Sequence, residues 1–225
     1  MTFHQELLAA TEAERNSLIS IPIVTQALSG QATREQYLAF LQEAFHHVRH
    51  TVPLLMSCGS KLPTRLEWLR VLVGEYIKDE MGHQEWVLDD IAAAGGDRAK
   101  AAASEPSVPT EVMVAYAYDT IARRNPVSFF GMVLVLEGTS VALATRAADV
   151  MEKSLDLPRS AFSYLRSHGD LDIEHVAFFI DLINQLDDPS DRAAVVYAAR
   201  RFYRLYGDIF RDIAARHDAK LEALA

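Results

Sequence analysis

Residues 126–145 read PVSFFGMVLVLEGTSVALAT, an apolar stretch in which Glu137 is the only charged side chain. Its length approaches that of a membrane span, but the central acid and several Ser, Thr and Gly residues favour the core helix of a globular protein. A lone carboxylate in such surroundings is costly unless it is protonated, paired with a cation or bound to a metal. The stretch therefore predicts a buried helix whose acid has a compensating partner, either a metal ion or an arginine such as Arg49 or Arg146.

The rest of the chain also has a helical pattern. Only 10 glycines and 8 prolines occur in 225 residues, and no alternating strand pattern or internal repeat accompanies them. We predict an all-α bundle of seven helices in a single domain over residues 1–225, with a frayed charged tail at 216–225. The predicted helices cover 3–19, 33–59, 63–94, 110–123, 126–153, 158–186 and 189–215.

Local signals define several of the predicted helix ends. Thr33 is expected to cap the second helix, and Pro53 is expected to kink it. The pair Gly95-Gly96 indicates the end of the third helix, and the Ala-, Ser- and Pro-rich residues 97–109 are expected to form a connecting loop.

Composition excludes several classes of protein. Half of the residues are hydrophobic, the mean hydropathy is +0.01 and the net charge is −9, which argues against a disordered chain and against a duplex nucleic-acid binder. Cys58 is the only cysteine, so no intrachain disulfide or thiolate metal site is expected, and the thiol is interpreted as a small buried hydrophobe. The N-terminus lacks the basic start and apolar centre of a signal peptide. We therefore expect a cytoplasmic protein with no nucleic-acid or membrane partner.

Two further segments place acids beside histidines at helical spacing. Glu80 and His83 are three residues apart, which puts a carboxylate and an imidazole on one helix face. His168, Asp172 and His175 lie at i, i+4 and i+7, along one stripe of a later helix. Glu43 contributes an earlier acid on the second helix.

Together these residues predict a metal centre. In chain order, four helices carry Glu43, Glu80-x-x-His83, Glu137 and Asp172-x-x-His175. Oxygen-rich ligation with imidazole and no thiolate suits iron, with manganese as the alternative, and two sets of ligands suit two ions.

Simpler interpretations exist for each part of this pattern. A single acid-x-x-His pair on a helix is often solvated, and His46, His47 and His50 are expected to be ordinary packed or exposed side chains. The same ligand order also fits a ferritin-like four-helix bundle, and His168 as an extra ligand is what disfavours that fold.

At these residues the sequence resembles the haem-oxygenase-like superfamily, which includes TenA (thiaminase II) and pyrroloquinoline-quinone synthase proteins. It is most similar to the branch of iron-containing redox enzymes, the haem-oxygenase-like dimetal oxidases. Their last core helix carries a His-x3-Asp-x2-His motif, matched by His168, Asp172 and His175, and earlier helices supply a Glu matched by Glu137 and a His matched by His83. The resemblance covers nearly the whole chain and implies a TenA-like helical bundle.

The early carboxylate ligand is the least defined part of this resemblance. Glu80, Glu75 and Glu43 are all candidates. Glu80 is favoured because it shares a face with His83, and Glu43 is considered an additional ligand.

The resemblance implies an O2-activating diiron oxidoreductase. Two ferrous ions would be held by the acids and histidines, with Glu137, His83 and Asp172 taking part in catalysis on a small organic substrate. Phe129, Phe130, Met132, Phe178 and Phe179 are candidates for an apolar pocket, although plain core packing is the favoured explanation for them. A homodimer is the state that the family suggests.

Two alternatives remain open at this point. The chain could be a cofactor-independent enzyme like the quinone synthase or TenA, or a binding protein that keeps the fold without redox chemistry. TenA-type chemistry needs a cysteine nucleophile in a later helix than the one carrying Cys58. The quinone synthase needs a pocket lined with Arg and Lys.

Overall fold

The computed structural model describes residues 1–223, except for the side chains of residues 141–142 and 168–176. Over this range the chain forms twelve α-helices and three short 3-10 turns, and no strand. The helices are α1 (Phe3–Ala10), α2 (Glu12–Ile19), α3 (Pro22–Ser29), α4 (Arg34–Val48), α5 (Thr51–Lys61), α6 (Glu67–Glu80), α7 (His83–Ala93), α8 (Arg98–Ala102), α9 (Val108–Arg123), α10 (Phe129–Ser154), α11 (Ser163–Asn184) and α12 (Pro189–Glu222). The all-α prediction is confirmed, and the predicted number of seven helices is wrong.

Short breaks inside three predicted helices account for most of the difference. The predicted helix 3–19 is divided at Thr11, whose side chain is buried and donates a hydrogen bond to the Leu7 carbonyl at 2.8 Å. The N-terminal region also contains α3, which the sequence analysis did not predict and which begins at Pro22, where a proline costs no helical hydrogen bond. The predicted loop 97–109 likewise contains the short helix α8.

The second predicted helix begins where the sequence indicated and breaks earlier than expected. The Thr33 hydroxyl accepts the Gln36 N–H at 3.1 Å, and the Gln36 side chain accepts the Thr33 N–H at 2.8 Å, a reciprocal capping box. The break falls at Arg49-His50, before Pro53, so the predicted kink at Pro53 is wrong. Pro53 instead lies in the first turn of α5, where its missing N–H leaves no helical acceptor unsatisfied.

The end of α7 follows the prediction. The Gly96 N–H bonds to the Ile91 carbonyl at 2.8 Å, and the Gly95 N–H bonds to the Ala92 carbonyl at 2.9 Å. This pair of bonds is the Schellman arrangement that a C-terminal glycine permits.

Helix α10 lies at the centre of the bundle and packs against α3, α11 and α12. Its approach to α12 depends on Gly131, because a Cβ there would lie 2.6 Å from the Ala199 nitrogen and 2.8 Å from the Val195 carbonyl. Cys58 is fully buried in the surrounding core, as predicted, and burial raises the pKa of its thiol to about 12.

Helix α12 continues well beyond the predicted end at residue 215 and reaches Glu222. The tail that was expected to fray is helical in the structure as far as Glu222. Two cations of this last segment form ion pairs with α4, Arg216 with Glu43 at 2.9 Å and Lys220 with Glu35 at 3.0 Å.

Among the described residues, no single helix has the length and hydropathy of a membrane span. Two helical segments that meet at a bend, Pro126–Ser140 and Leu143–Ser154, have that length and hydropathy only when they are taken together.

Candidate metal centre

Glu80 and His83 lie side by side in the interior although they belong to different helices. Glu80 is the last residue of α6 and His83 is the first residue of α7. Their side chains are 7% and 4% exposed, and His83 Nδ1 lies 3.0 Å from Glu80 Oε2. The predicted single helix over 63–94 is therefore wrong at this point, but the two side chains that it was expected to bring together do meet.

The break between them depends on the backbone of Met81 and Gly82. Met81 is extended, and Gly82 has a φ of 91°, a conformation that side-chain-bearing residues rarely adopt. A new helix starts directly after it, and the His83 ring stacks on the Trp86 ring one turn later, with centroids 4.2 Å apart. The turn and the stacking together orient the imidazole.

Glu80 and Glu137 line one small cavity of about 50 Å³, which we call the acidic cavity. This is enough space for more than one water-sized group. His83 is not among the described residues of this wall, but it contacts Glu80, which is. The other polar residues of the wall are His47, Thr51, Tyr76, Ser140 and Tyr164, and its apolar residues are Val48, Leu54, Phe129, Met132, Val133 and Leu136.

Glu137 is half-buried rather than fully enclosed. It projects from α10 at a point where residues 136–140 all border open space, because two cavities adjoin the helix there. The two arginines considered as its partners, Arg49 and Arg146, are both exposed, and the Arg49 guanidinium lies over the Phe45 ring at 5.8 Å.

His47 is a functional candidate that the sequence analysis missed. Its side chain is 3% exposed and lines the acidic cavity, where its ring meets the edge of the Tyr206 ring. The helical spacing of the sequence indicates that His47 faces inward, because Phe40, Ala44 and His47 lie at i, i+4 and i+7 on one face of α4.

The other two histidines of that run have structural contacts. His46 Nε2 lies 2.9 Å from the Ser104 hydroxyl, and His50 Nδ1 lies 3.1 Å from the Tyr118 hydroxyl. His46 thus contacts the connection after α8 and His50 contacts α9, as the expectation of ordinary packed histidines implies.

Glu43, considered as an additional ligand, lies apart from the acidic cavity in a network of its own. Its Oε2 accepts hydrogen bonds from the Ser107 N–H at 3.1 Å, the Ser107 hydroxyl at 2.9 Å and the Thr110 hydroxyl at 2.6 Å. Its Oε1 accepts from Arg216 at 2.9 Å. With both oxygens engaged, Glu43 serves to join α4, α9 and α12.

Three predicted ligands, His168, Asp172 and His175, lie outside the described residues. The helix that carries them, α11, packs against α10 and α7, the helices that carry Glu137 and His83. Among the described side chains, no three or more of His, Cys, Asp and Glu converge as a metal site. The described residues thus supply part of the predicted ligand set.

Asp90 anchors the start of α11 to α7. It is fully buried, and its carboxylate accepts the backbone N–H of Ser163 at 3.0 Å and of Tyr164 at 2.8 Å, together with the Ser163 hydroxyl. Burial raises the pKa of Asp90, and these hydrogen bonds oppose the rise. Because Asp90 lies two turns after His83, it ties the helix that begins at His83 to the first turn of α11.

A second, larger cavity of about 110 Å³ lies next to the acidic cavity, and we call it the apolar cavity. It is lined by residues of α3, α4, α10 and α12, with Leu28, Phe40, Leu143 and Ile213 among its walls. Ser140 and Tyr164 line both cavities and form the boundary between them.

The aromatic residues proposed for an apolar pocket are distributed differently from the expectation. Phe129 and Met132 line the acidic cavity. Phe130 and Phe179 are buried in the core, and Phe178 packs edge-on against Tyr76 with ring centroids 5.9 Å apart. The apolar cavity is built instead from several helices, among them α3, α4, α10 and α12, and α10 contributes more of its described lining residues than any other helix.

The donors present in this region suit iron. Glu80, Glu137, His83 and His47 offer carboxylate oxygen and imidazole nitrogen, and the only thiol, Cys58, is buried elsewhere beside the Pro126 carbonyl. Carboxylate and imidazole ligands with no thiolate are typical of non-haem iron and manganese sites.

Comparison with known structures confirms the fold. A domain of unknown function with a haem oxygenase-like fold from Shewanella denitrificans has a TM-score of 0.85 at 22% identity, covering 95% of this chain and 93% of that one. A TenA homologue from Pseudomonas syringae pv. tomato has a TM-score of 0.80 at 11% identity, with 95% and 93% covered. Haem oxygenase-1 from the cyanobacterium Synechocystis has a TM-score of 0.74 at 12% identity, with 100% of each chain covered.

Sequence comparison identifies the family. No protein of curated function matches the chain. The family described as iron-containing redox enzyme matches residues 38–207, which include α5–α11 and all but the first turn of α4. This single bundle with a haem oxygenase-like fold belongs to the iron-containing redox enzyme family.

Proposed function

We propose that the protein is an O2-activating non-haem diiron oxidoreductase that acts on a small organic substrate. The observation that carries the proposal is the contact between two unlike cavities. The acidic cavity contains Glu80 and Glu137, and it shares Ser140 and Tyr164 with an apolar cavity twice its size. A metal centre beside an apolar binding space is the arrangement that such an enzyme requires.

The ligands in this proposal are Glu80, His83 and Glu137 together with His168, Asp172 and His175. Glu80 and Glu137 line the acidic cavity and His83 contacts Glu80, which supports this part of the set. The family membership favours iron over manganese. When bound, ferrous iron supplies the electrons with which O2 is reduced. His47 is a further candidate donor, whereas Glu43 is not included because its contacts are structural.

The chain itself orients the ligands and limits access of water. The Tyr76 and Tyr164 hydroxyls belong to the wall of the acidic cavity and are candidates to hydrogen-bond to ligand carboxylates and imidazoles. Phe129, Met132 and Leu136 form the apolar part of that wall. Such a wall excludes bulk water, which protects reactive species from side reactions.

Features of the cavities argue against the alternatives. None of the described residues that line either cavity is Lys or Arg, so a substrate with several carboxylates, as in the quinone synthase, would have no cationic partner there. Cys58 is fully buried with a pKa of about 12, which leaves no thiolate for TenA-type nucleophilic chemistry.

The proposal is tested by metal content and by reaction with O2. Protein produced with added iron and purified without O2 is expected to contain about two iron ions per chain, and its ferrous form is expected to show a transient visible absorption on mixing with O2. Less than one iron per chain and no transient would leave the non-catalytic binding protein as the better explanation. Full activity in the presence of a strong chelator would favour the cofactor-independent enzyme.

Partners and location complete the proposal. We propose O2 and one small molecule as the reactants, a homodimer as the assembly and the cytoplasm as the location. Size-exclusion chromatography with light scattering measures the assembly directly.

A further inference from the structure

The walls of the apolar cavity carry no charge among the residues that the structure describes. Its lining contains no Asp, Glu, Lys or Arg. The two segments whose side chains are outside the description, 141–142 and 168–176, contain no Lys or Arg in their sequence. An anionic occupant of this cavity in the iron-free protein would therefore leave water without gaining a Lys or Arg partner.

Two polar side chains of the wall, Gln36 and Ser140, offer hydrogen bonds but no charge. Gln36 lines the cavity and uses its carbonyl oxygen to accept the Thr33 N–H, so its amide N–H groups remain as the donors that it can offer. Ser140 donates its hydroxyl proton to the Leu136 carbonyl at 2.9 Å, so its oxygen remains an acceptor. A hydroxyl or carbonyl group fits these partners, and neither partner compensates a full charge.

The surroundings of the cavity are weakly polar. Tyr206 lines it, and burial raises the pKa of this phenol well above its ordinary value, which keeps the side chain neutral. Tyr37, another lining residue, donates its hydroxyl to the Ala161 carbonyl at 2.6 Å and so offers the occupant mainly its ring. A site of this kind penalises charge and rewards apolar contact.

Size limits the occupant further. An apolar cavity of about 150 Å³ in another protein holds one benzene molecule. The volume of about 110 Å³ here, with the acidic cavity of about 50 Å³ beyond Ser140 and Tyr164, suits a single ring or a short alkyl chain whose polar end lies at that boundary.

We propose that the apolar cavity binds a small uncharged molecule, a single ring or short alkyl chain with one hydroxyl or carbonyl group. The apolar part lies between α3 and α12, and the polar group lies at Ser140, facing the acidic cavity. The identification of this molecule as the substrate rests on the proposed function, but its binding to the cavity does not.

Three matched probes test the charge preference: 4-fluorobenzyl alcohol, 4-fluorobenzoate and 4-fluorobenzylamine. Each is titrated by ¹⁹F NMR at neutral pH against the full-length protein after dialysis against a chelator, so that no probe binds through iron. We expect the alcohol to bind at least tenfold more tightly than either charged probe. A carboxylate or amine that binds as tightly as the alcohol would overturn the proposal.

Filling the cavity tests the location. Ala147 is half-buried and lines the cavity, and Ala147→Phe is expected to weaken alcohol binding at least tenfold. Ala27→Phe fills the same space from α3 and serves as a second variant should the first not fold. Ala215→Phe adds the same ring at an exposed position of α12 and is expected to leave binding unchanged.

Iron content separates this inference from the proposed function. Ala147→Phe is expected to retain the iron content of the unsubstituted protein, because Ala147 lines only the apolar cavity. Unchanged alcohol binding in both filling variants would show that the probe lies elsewhere and would overturn the inference even if the protein binds iron. Selective binding of the alcohol by a protein that takes up no iron even when it is produced with added iron would support the cavity and reject the oxidase.

Discussion

His83 Nδ1 lies 3.0 Å from Glu80 Oε2 across the break between α6 and α7. The two residues are three apart in sequence, yet the helix that would ordinarily place them on one face is interrupted between them. The left-handed turn at Gly82 substitutes for that helix and keeps the acid and the imidazole in contact. A candidate ligand pair therefore depends on one glycine that is not itself a ligand.

Gly82→Ala is expected to lower the free energy of unfolding by about 1–2 kcal/mol, because a φ of 91° disfavours any residue with a Cβ. An added Cβ meets nothing within 4 Å, so the cost comes from the backbone and not from a clash. Gly74→Ala is the matched control. It also meets nothing within 4 Å but lies inside α6, where alanine is expected to stabilise the protein by about 0.5–1 kcal/mol. Urea unfolding followed by circular dichroism measures both changes, and equal effects of the two would contradict this explanation.

Glu137→Ala and Glu43→Ala are expected to have opposite effects. Removing Glu137 should abolish iron binding and leave the helical circular dichroism signal unchanged, because this acid lines the acidic cavity. Removing Glu43 should leave iron content unchanged and lower the free energy of unfolding by about 2 kcal/mol, because buried donors of Ser107 and Thr110 lose their acceptor. Elemental analysis and urea unfolding distinguish the two, and normal iron content in Glu137→Ala would indicate that Glu137 pairs with a cation instead.

Asp90→Asn is expected to destabilise the protein by about 1–2 kcal/mol, because an amide cannot accept the N–H groups of both Ser163 and Tyr164. Asp89→Asn alters the adjacent exposed acid, whose contact with Arg98 is 3.5 Å long, and is expected to change stability by less than about 0.5 kcal/mol. Thermal unfolding of the two variants measures the difference. Similar melting temperatures would show that Asp90 does not hold α11 in place.

His46 is expected to make stability depend on pH. Burial lowers the pKa of this imidazole, so the folded protein resists protonation that the unfolded chain accepts. The free energy of unfolding should therefore fall as the pH drops through about 6.5, the ordinary pKa of histidine. The Ser104 hydroxyl donates to the Ala101 carbonyl and accepts a hydrogen bond from His46 Nε2. The side-chain amide of a glutamine at position 46 can donate the same hydrogen bond to Ser104.

His46→Gln should consequently lose less stability than the unsubstituted protein between pH 7.5 and 5.5. Some dependence remains, because burial also lowers the pKa values of His4 and His50. Urea unfolding at the two pH values provides the comparison. Parallel losses in the two proteins would show that His46 is not responsible.

The sequence alone determined the features that depend on neighbours along the chain. The helical class, the cap at Thr33, the end of α7 at Gly95-Gly96 and the position of Glu137 within an apolar helix all followed from local spacing. Hydrogen-bonding caps and hydrophobic periodicity act over a few residues, so a single sequence contains enough information to place them. The breaks at Thr11, Arg49-His50 and Met81-Gly82 carried no comparable signal, because packing between helices compensates for interrupting them.

Only the tertiary structure decided which acids and histidines meet. Glu43 and His47 lie one turn apart on the same helix, and from the sequence Glu43 was considered an additional ligand whereas His47 was expected to be an ordinary packed or exposed side chain. In the folded protein α9 and α12 bring Ser107, Thr110 and Arg216 to Glu43, while His47 faces the acidic cavity. A helix face has the same local pattern whether it meets hydroxyl donors or a cavity, and the identity of its neighbours depends on contacts between residues more than 60 positions apart. The distinction between a structural acid and a candidate site residue therefore came from the packing of the bundle.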